Sequence, residues 1–318
     1  SKIYLVLMSN SKKKILVTGG AGFVGTNLIK LLLEKTKYYI LSIDNYSSGK
    51  RANHIKNSRV KYIKGETADI LKILKNPKNI KTIFHFGEFS RIFQSFEKFD
   101  ECYESNNIGS KSVFKFCLNN KIKLVYSATS ASLGNRGNDK NLSPYAFTKS
   151  ENLELLENLK SWFNFKYEIV YFYNVYGKNQ IRDGSMATVI GIFEKQYENN
   201  KPLTIVKPGS QTRRFTHISD TVGVCFDAWK NNKCAHYSIS HRQSYSIVEV
   251  AKMFKCKIKY LPPRLGERYA SALTNMSLNN KVIKKYGIIS LKDYITSFIK
   301  SWNYENCKFP KISKKKRP

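Results

Sequence analysis

Three patterns are missing from this chain, and each absence removes a class of protein. No apolar run approaches the roughly 18 residues that a membrane-crossing helix needs. The longest one near the N-terminus, Ile3-Tyr4-Leu5-Val6-Leu7, is also shorter than the about 7–15 residues of a secretory hydrophobic segment. The six cysteines form neither a Cys-x-x-Cys pair nor a metal-ligand spacing, and five histidines add none. A zinc module and a disulfide scaffold are disfavoured, and no metal site is expected; the thiols read as reduced and several as core residues. Acidic residues are the third shortage, 23 against 55 Lys and Arg, for a net charge of +32. That balance can mean nucleic-acid binding. Here the lysines run along the whole chain, with short clusters only at Lys12-Lys13-Lys14 and Lys314-Lys315-Lys316-Arg317. The expectation is a cytoplasmic protein without nucleic-acid or membrane partners, whose positive field collects an anionic small substrate. Met8 reads as the native start, with residues 1–7 an extension, and the basic tail after Pro310 as mobile.

What is present begins with Val17-Thr18-Gly19-Gly20-Ala21-Gly22-Phe23-Val24-Gly25. The run follows the apolar stretch Lys14-Ile15-Leu16-Val17 and opens a helical pattern through Leu32. Strand, glycine turn and helix together form the context in which a glycine motif holds a dinucleotide. Gly19 permits the tight turn, Gly22 lets backbone approach a pyrophosphate, and Gly25 lets the helix pack closely, its N-terminus facing the anion. The next strand, Tyr38–Asp44, ends in a carboxylate about 20 residues beyond the glycines, where it meets a ribose 2′-hydroxyl and repels a 2′-phosphate. NAD is therefore expected over NADP.

With 318 residues the chain can build one large or two modest domains, and no internal repeat divides it. Its first half alternates strand and helix. Strands are expected at Lys14–Thr18, Tyr38–Asp44, Val60–Lys64, Lys81–Phe86, Lys123–Ser127 and Tyr167–Tyr173, and helices at Asn106–Leu118 and Tyr145–Trp162 among others. That order is α/β: a Rossmann-type, doubly wound parallel sheet. Residues 1–175 read as the dinucleotide domain, with Phe215–Trp229 and Ala235–Ile239 returning to it. Residues 176–318 read as a smaller, mixed substrate lobe with the basic tail.

The chemistry-bearing pattern is Pro144-Tyr145-Ala146-Phe147-Thr148-Lys149. On a helix Tyr145 and Lys149 share one face. A phenol has a pKa of about 10; a neighbouring ammonium and an oxidised nicotinamide both favour phenolate and bring it into working range as a base. The strand Leu124-Val125-Tyr126-Ser127 runs into Ala128-Thr129-Ser130, hydroxyls at the sheet edge where such folds bind ligands. Thr129 can hydrogen-bond the oxygen that Tyr145 deprotonates.

These motifs resemble the extended short-chain dehydrogenase/reductases of the nucleotide-sugar epimerase/dehydratase family. The resemblance takes in Thr18 to Gly25, Asp44, His85, Asn106-x-x-Gly109-Ser110, Thr129, Tyr145 with Lys149, and Asn174-Val175-Tyr176-Gly177. It continues through Gly209-x-Gln211-x-Arg213, Phe215-Thr216-His217-Ile218-x-Asp220 and Arg264-x-Gly266-Glu267. It implies a catalytic trio of Thr129, Tyr145 and Lys149. It implies a cofactor surface of Gly19, Gly22, Phe23, Val24, Asp44, Asn45 and Ser48, completed by Phe86, Gly87, Ser127, Tyr145 and Lys149. Asn174, Arg213 and Arg264 are expected at the nucleotide diphosphate, where guanidinium groups suit phosphate oxygens. A homodimer through the two long helices is also implied, Val113, Phe114, Phe116, Leu153, Leu156 and Trp162 being more apolar surface than one stripe needs.

The departures narrow the reaction. Family members that remove water follow the threonine with Asp-Glu; here Ser130-Ala131 follows Thr129, which speaks against dehydration. The usual Tyr-Gly of that loop is Leu133-Gly134, the usual Ala-Ala after His85-Phe86 is Gly87-Glu88, and Tyr171 replaces a common arginine. Glu88, Arg91, Thr129 and Ser130, with Gln94, are therefore expected at the sugar. The segment from His85 to Arg91 resembles a branch of bacterial surface-polysaccharide synthesis, similar to GDP-manno-heptose 4-dehydrogenases. The expected first step is NAD-dependent oxidation of a C4 hydroxyl. A 4-dehydrogenase ending, with a small keto acid as external oxidant, is favoured over a 4-epimerase. A non-enzymatic NAD-binding regulator on the same fold is the remaining reading.

Overall fold

The computed structural model describes residues 12–132, 139–265 and 285–308. Met8, the Leu133-Gly134 departure, Gly266-Glu267 and the tail after Pro310 lie outside them.

Six strands of the first half are β1 (Lys14–Thr18), β2 (Tyr39–Asp44), β3 (Val60–Lys64), β4 (Ile80–His85), β5 (Lys123–Thr129) and β6 (Tyr167–Phe172). Later come the short strands β7 (Val175–Tyr176), β8 (Leu203–Val206), β9 (Thr212–Arg214), β10 (Thr216–His217), β11 (His236–Ser238), β12 (Ser244–Ser246) and β13 (Ile258–Leu261). The main sheet has seven parallel strands in the order β11-β6-β5-β4-β1-β2-β3. Chain order reverses direction between β1 and β4, and the crevice beyond their carboxyl ends is where open α/β sheets bind ligands.

Both sheet faces are covered, so the central strands read as near-continuous apolar runs. On one face α2 (Ser110–Asn119) and α3 (Pro144–Phe163) bury Val113, Phe114, Phe116 and Leu156 against Leu16, Ile83, Leu124 and Ile169. On the other, α1 (Phe23–Lys35) and α5 (Ile218–Asn231) bury Leu28, Ile29, Leu32, Val224 and Ala228 against Ile15, Val17, Phe84 and Val170. The segment after Phe215 thus returns to the main sheet through α5 and β11. A third buried cluster joins α4 (Val189–Glu198), α6 (Ile247–Met253) and α7 (Leu291–Lys308) to the β8–β13 pair.

The structure corrects three expectations. The helix expected from Asn106 is continuous but begins earlier and is wider there: a π-helical turn, Glu104–Gly109, runs directly into α2. Here Asn106 is drawn inward to the backbone of Phe89, and Gly109 lies so close to Thr67 that a Cβ would come within 2.3 Å of its hydroxyl. Val113, Phe114, Phe116 and Leu156, taken as surplus surface for a dimer, are core; the exposed apolar groups nearby are Phe99, Tyr103, Ile108, Phe147 and Trp162. Tyr171, taken as a change in the sugar pocket, is buried in the first core with its hydroxyl 3.0 Å from His236 Nδ1. It does not line the cavity.

Candidate active site

A cavity of about 550 Å³ opens at the carboxyl ends of β1, β4 and β5. The candidate catalytic, cofactor and substrate residues named above all line it. Its floor is the glycine turn. Gly19 adopts φ +71°, and a Cβ there would meet Phe86 and Gly87 backbone at 2.9 Å, so only glycine fits without strain. A Cβ on Gly25 would lie 2.2 Å from the Gly19 carbonyl oxygen. The close packing at Gly25 is therefore against the turn itself, and it brings the first N–H groups of α1 to the cavity wall.

Asp44 closes the far end. Its carboxylate accepts from Ala21 N–H at 2.9 Å and Tyr46 N–H at 2.8 Å, tying the turn to the end of β2. Burial raises its pKa above the ordinary carboxylate value, partly countered by those two N–H groups. Asn45 and Ser48 line the cavity beside it, and Asn45 donates to Glu66 Oε2 at 3.0 Å. Glu66 and Thr67, also in the lining, carry no motif that sequence reasoning could use.

The candidate catalytic trio is assembled by α3 and the end of β5. Ser143 caps that helix by accepting from Ala146 N–H at 3.1 Å, and Pro144 occupies its first turn, a start signal that fixes the helix immediately before Tyr145. Tyr145 N–H is held by Ser95 Oγ at 3.2 Å. Thr129 ends β5, and its hydroxyl is hydrogen-bonded to the Tyr145 phenol. Lys149, one turn on, donates to the Ser127 carbonyl and to Glu88 Oε2. Burial pushes the Tyr145 phenol up to about 12; the Thr129 hydrogen bond pulls it down, the Glu88 charge pushes it up and the Arg91 charge pulls it down. Burial also draws Lys149 below the ordinary lysine value. The ammonium expected to act on Tyr145 is thus engaged by a carboxylate.

That carboxylate ends a buried network. Thr18 Oγ1 accepts from Phe86 N–H at 3.1 Å and Gly87 N–H at 3.0 Å. Its own proton therefore goes to His85 Nδ1, 2.7 Å away. His85 is then neutral with its proton on Nε2, which donates to Ser110 Oγ at 2.8 Å. Ser110 in turn donates to Glu88 Oε1. Tyr126 hydroxyl and Asn152 Nδ2 donate to the same oxygen at 3.0 and 3.2 Å. Asn152 went unnoticed in the sequence, although Tyr145, Lys149 and Asn152 follow one helical stripe.

The other sugar-side candidates also make bonds to protein. Arg91 donates through Nε to the Met186 carbonyl at 2.9 Å and through Nη1 to the Ser90 carbonyl at 2.8 Å. Gln94 donates to the Ser185 carbonyl at 2.6 Å. Together they pin the 184–187 loop that walls this end of the cavity. Asn174 donates to the Arg214 carbonyl at 2.8 Å, and Arg213 donates to the Thr212 carbonyl at 2.8 Å. The Arg264 guanidinium sits 5.3 Å from the Phe93 ring centroid. Ser130 opens the turn after β5.

Among the described residues no helix is long and apolar enough to cross a membrane, and no cluster of His, Cys, Asp or Glu could hold a metal.

Comparison with known proteins agrees with this geometry. A protein of Methanocaldococcus jannaschii that carries the provisional name UDP-glucose 4-epimerase is 28% identical over 274 residues, 80% of this chain and 88% of its own length. The UDP-glucose 4-epimerase of Thermotoga maritima, solved with UDP-glucose, shares the fold at a TM-score of 0.79 and 22% identity, over 92% of this chain and 99% of that one. The UDP-glucuronic acid 4-epimerase of Bacillus cereus, solved with UDP-glucuronic acid and NAD, does so at 0.80 and 24%, over 92% and 99%. Residues 15–261 match the model of the NAD dependent epimerase/dehydratase family. With the turn, the Asp44 carboxylate and the Thr129–Tyr145–Lys149 group in one cavity, this chain belongs to that family, and its cofactor is NAD.

Proposed function

We propose that the protein is a nucleotide-sugar 4-epimerase. The observation that carries the reading is the Thr129–Tyr145 hydrogen bond at the mouth of a dinucleotide cavity, supported by relatives described as 4-epimerases. A 4-dehydrogenase acting on a GDP-linked heptose is the reading that the His85–Arg91 segment favours by resemblance. It would require Glu88, Arg91 and Gln94 to grip a keto-sugar in one orientation. Those three side chains spend hydrogen bonds on Lys149 and on the carbonyls of Ser90, Ser185 and Met186, which favours the epimerase.

NAD, when bound, supplies a hydride acceptor that later serves as donor. Gly19, Gly22 and the first turn of α1 would hold its pyrophosphate, Asp44 its adenosine ribose and Lys149 its nicotinamide ribose. Tyr145 takes the proton of the C4 hydroxyl and returns one to the ketone oxygen after the sugar has turned. Thr129 orients that oxygen. Asn174, Arg213 and Arg264 would hold the diphosphate. The division into a dinucleotide domain to about residue 175 and a substrate lobe after it follows from this assignment.

The test is a panel of UDP-glucose, UDP-galactose, UDP-glucuronic acid and a GDP-linked manno-sugar, incubated with NAD-loaded protein and followed by NMR and by absorbance of the reduced cofactor. Catalytic appearance of a 4-epimer without added oxidant supports the reading. Accumulation of reduced cofactor with keto-sugar, relieved by a small keto acid, moves the assignment to the dehydrogenase. A homodimer through the exposed Phe99, Tyr103, Ile108, Phe147 and Trp162 is proposed alongside; a monomer by light scattering at micromolar concentration removes it.

A further inference from the structure

Glu88 stands where the resembled family has alanine, and its side chain is only 3% exposed. Both carboxylate oxygens are engaged: Oε2 by Lys149, Oε1 by Ser110, Tyr126 and Asn152. A group so enclosed is poorly placed to grip a sugar or to act as a general base. A buried carboxylate with three hydroxyl and amide donors and a paired ammonium is also costly to assemble, so its place beside Lys149 calls for a role.

We propose that Glu88 is a positioning residue of the reaction centre: it fixes Lys149 and offsets its charge, so that the Tyr145 phenolate formed beside bound NAD takes the C4 proton more strongly and keeps it until the return half. The inference rests on Tyr145 being the acid–base group of the proposed reaction. In the forward half the phenolate takes the C4 hydroxyl proton as the hydride leaves C4. In the return half the C4 carbonyl carbon regains a hydride, the carbonyl oxygen regains that proton from Tyr145, and the phenolate is restored. A proton held firmly on Tyr145 between the two halves makes the return efficient and leaves the keto-sugar little time to escape.

The charges around the phenol fit this role. Facing Tyr145 are Glu88 and Arg91 from the segment after β4, Cys102 from the Phe99–Tyr103 turn, and Tyr126 and Thr129 from β5. Lys149 lies one turn along its own helix. Glu88 is the one carboxylate among them, and His85, the next group along the network, is neutral through its bond from Thr18. Lys149 also lies 4.5 Å from the Tyr126 ring centroid, a second contact that holds the ammonium on the β5 side.

The test uses NAD-loaded protein labelled with 13C at the tyrosine ring, titrated by NMR, with the Tyr145 signal identified by its loss in Tyr145→Phe. Glu88→Gln keeps the shape and removes the charge. It should lower the Tyr145 midpoint by about one pH unit, giving some tenfold more phenolate at fixed pH; an unmoved or raised midpoint overturns the proposal. Glu88→Asp keeps the charge but shortens the reach to Lys149, so the two effects separate even if the glutamine variant fails to fold. Here the midpoint should not fall, while NAD affinity drops about fivefold or more; a lowered midpoint or unchanged affinity overturns the positioning role. If no sugar in the panel is turned over, the proposed function falls, while these titrations still decide what Glu88 does.

Discussion

The neutral His85 makes a direct prediction about stability in mild acid. Its ring is fully buried, Nδ1 accepting from Thr18 and Nε2 donating to Ser110. A proton added at Nδ1 would confront the Thr18 hydroxyl hydrogen. Burial takes the His85 pKa down to about 4, with the Glu88 charge raising it and the Lys149 charge lowering it. In the unfolded chain histidine titrates near 6.5. The folded value is depressed, so the contribution is present above about pH 6.5 and is lost as pH falls toward 4. At pH 5 the unfolded histidine is almost wholly protonated and the folded one almost wholly neutral. The difference is about 2 kcal/mol relative to pH 7.5. The assay is urea unfolding at pH 7.5 and 5.0, for the parent protein and His85→Gln. The variant loses stability at both pH values because Thr18 loses its acceptor, but its loss between the two should be smaller than the parent's by about 2 kcal/mol. Other titrating groups, among them the buried Asp44 and Glu194 whose pKa values are raised, act in both proteins and cancel. Equal losses would refute the neutral assignment.

Gly25→Ala places a methyl 2.2 Å from the Gly19 carbonyl oxygen and 2.7 Å from Gly20 Cα. Backbone cannot yield cheaply, so the helical gain of about 1 kcal/mol for Gly→Ala should be outweighed by overpacking of about 1–3 kcal/mol, and calorimetry should show NAD binding at least about tenfold weaker; Lys30→Ala, exposed on the same helix, is the control that leaves affinity unchanged. Asp44→Ala should weaken NAD binding and narrow its preference over NADP, by the same titration; equal affinities for the two cofactors in the parent protein would contradict the ribose assignment.

How much was legible depended on how local the causes are. The β1 strand, the glycine turn and the Tyr145–Lys149 face declare themselves within a few residues, because strand, turn and helix periods are written in adjacent positions. Glu88 stands out in the sequence as unusual and reads toward the sugar, whereas its carboxylate is bonded to protein groups. Its partners Ser110, Tyr126, Lys149 and Asn152 lie 22 to 64 positions away and meet only where β4, β5, α2 and α3 converge. Arg91 and Gln94 were read toward the sugar because their acceptors, the Met186 and Ser185 carbonyls, are backbone atoms with no sequence signature. The apolar residues of α2 and α3 were overcounted as interface because a helix beneath a long sheet buries more than a narrow stripe. In the second half α6 does carry a local signal: Ser246 and Glu249 form a capping box, which the short strands around it obscured.

The central claim is that Tyr145, Thr129 and bound NAD move one hydride off C4 and back onto it. Its most direct test is a nucleotide sugar from the panel, deuterated at C4 and incubated in ordinary water with NAD-loaded protein, alongside the Tyr145→Phe variant. The account predicts a 4-epimer with deuterium retained at C4, formed about 10²-fold or more slowly by the variant, while the variant still binds NAD. Deuterium lost to solvent, or turnover in Tyr145→Phe close to that of the parent, would contradict it.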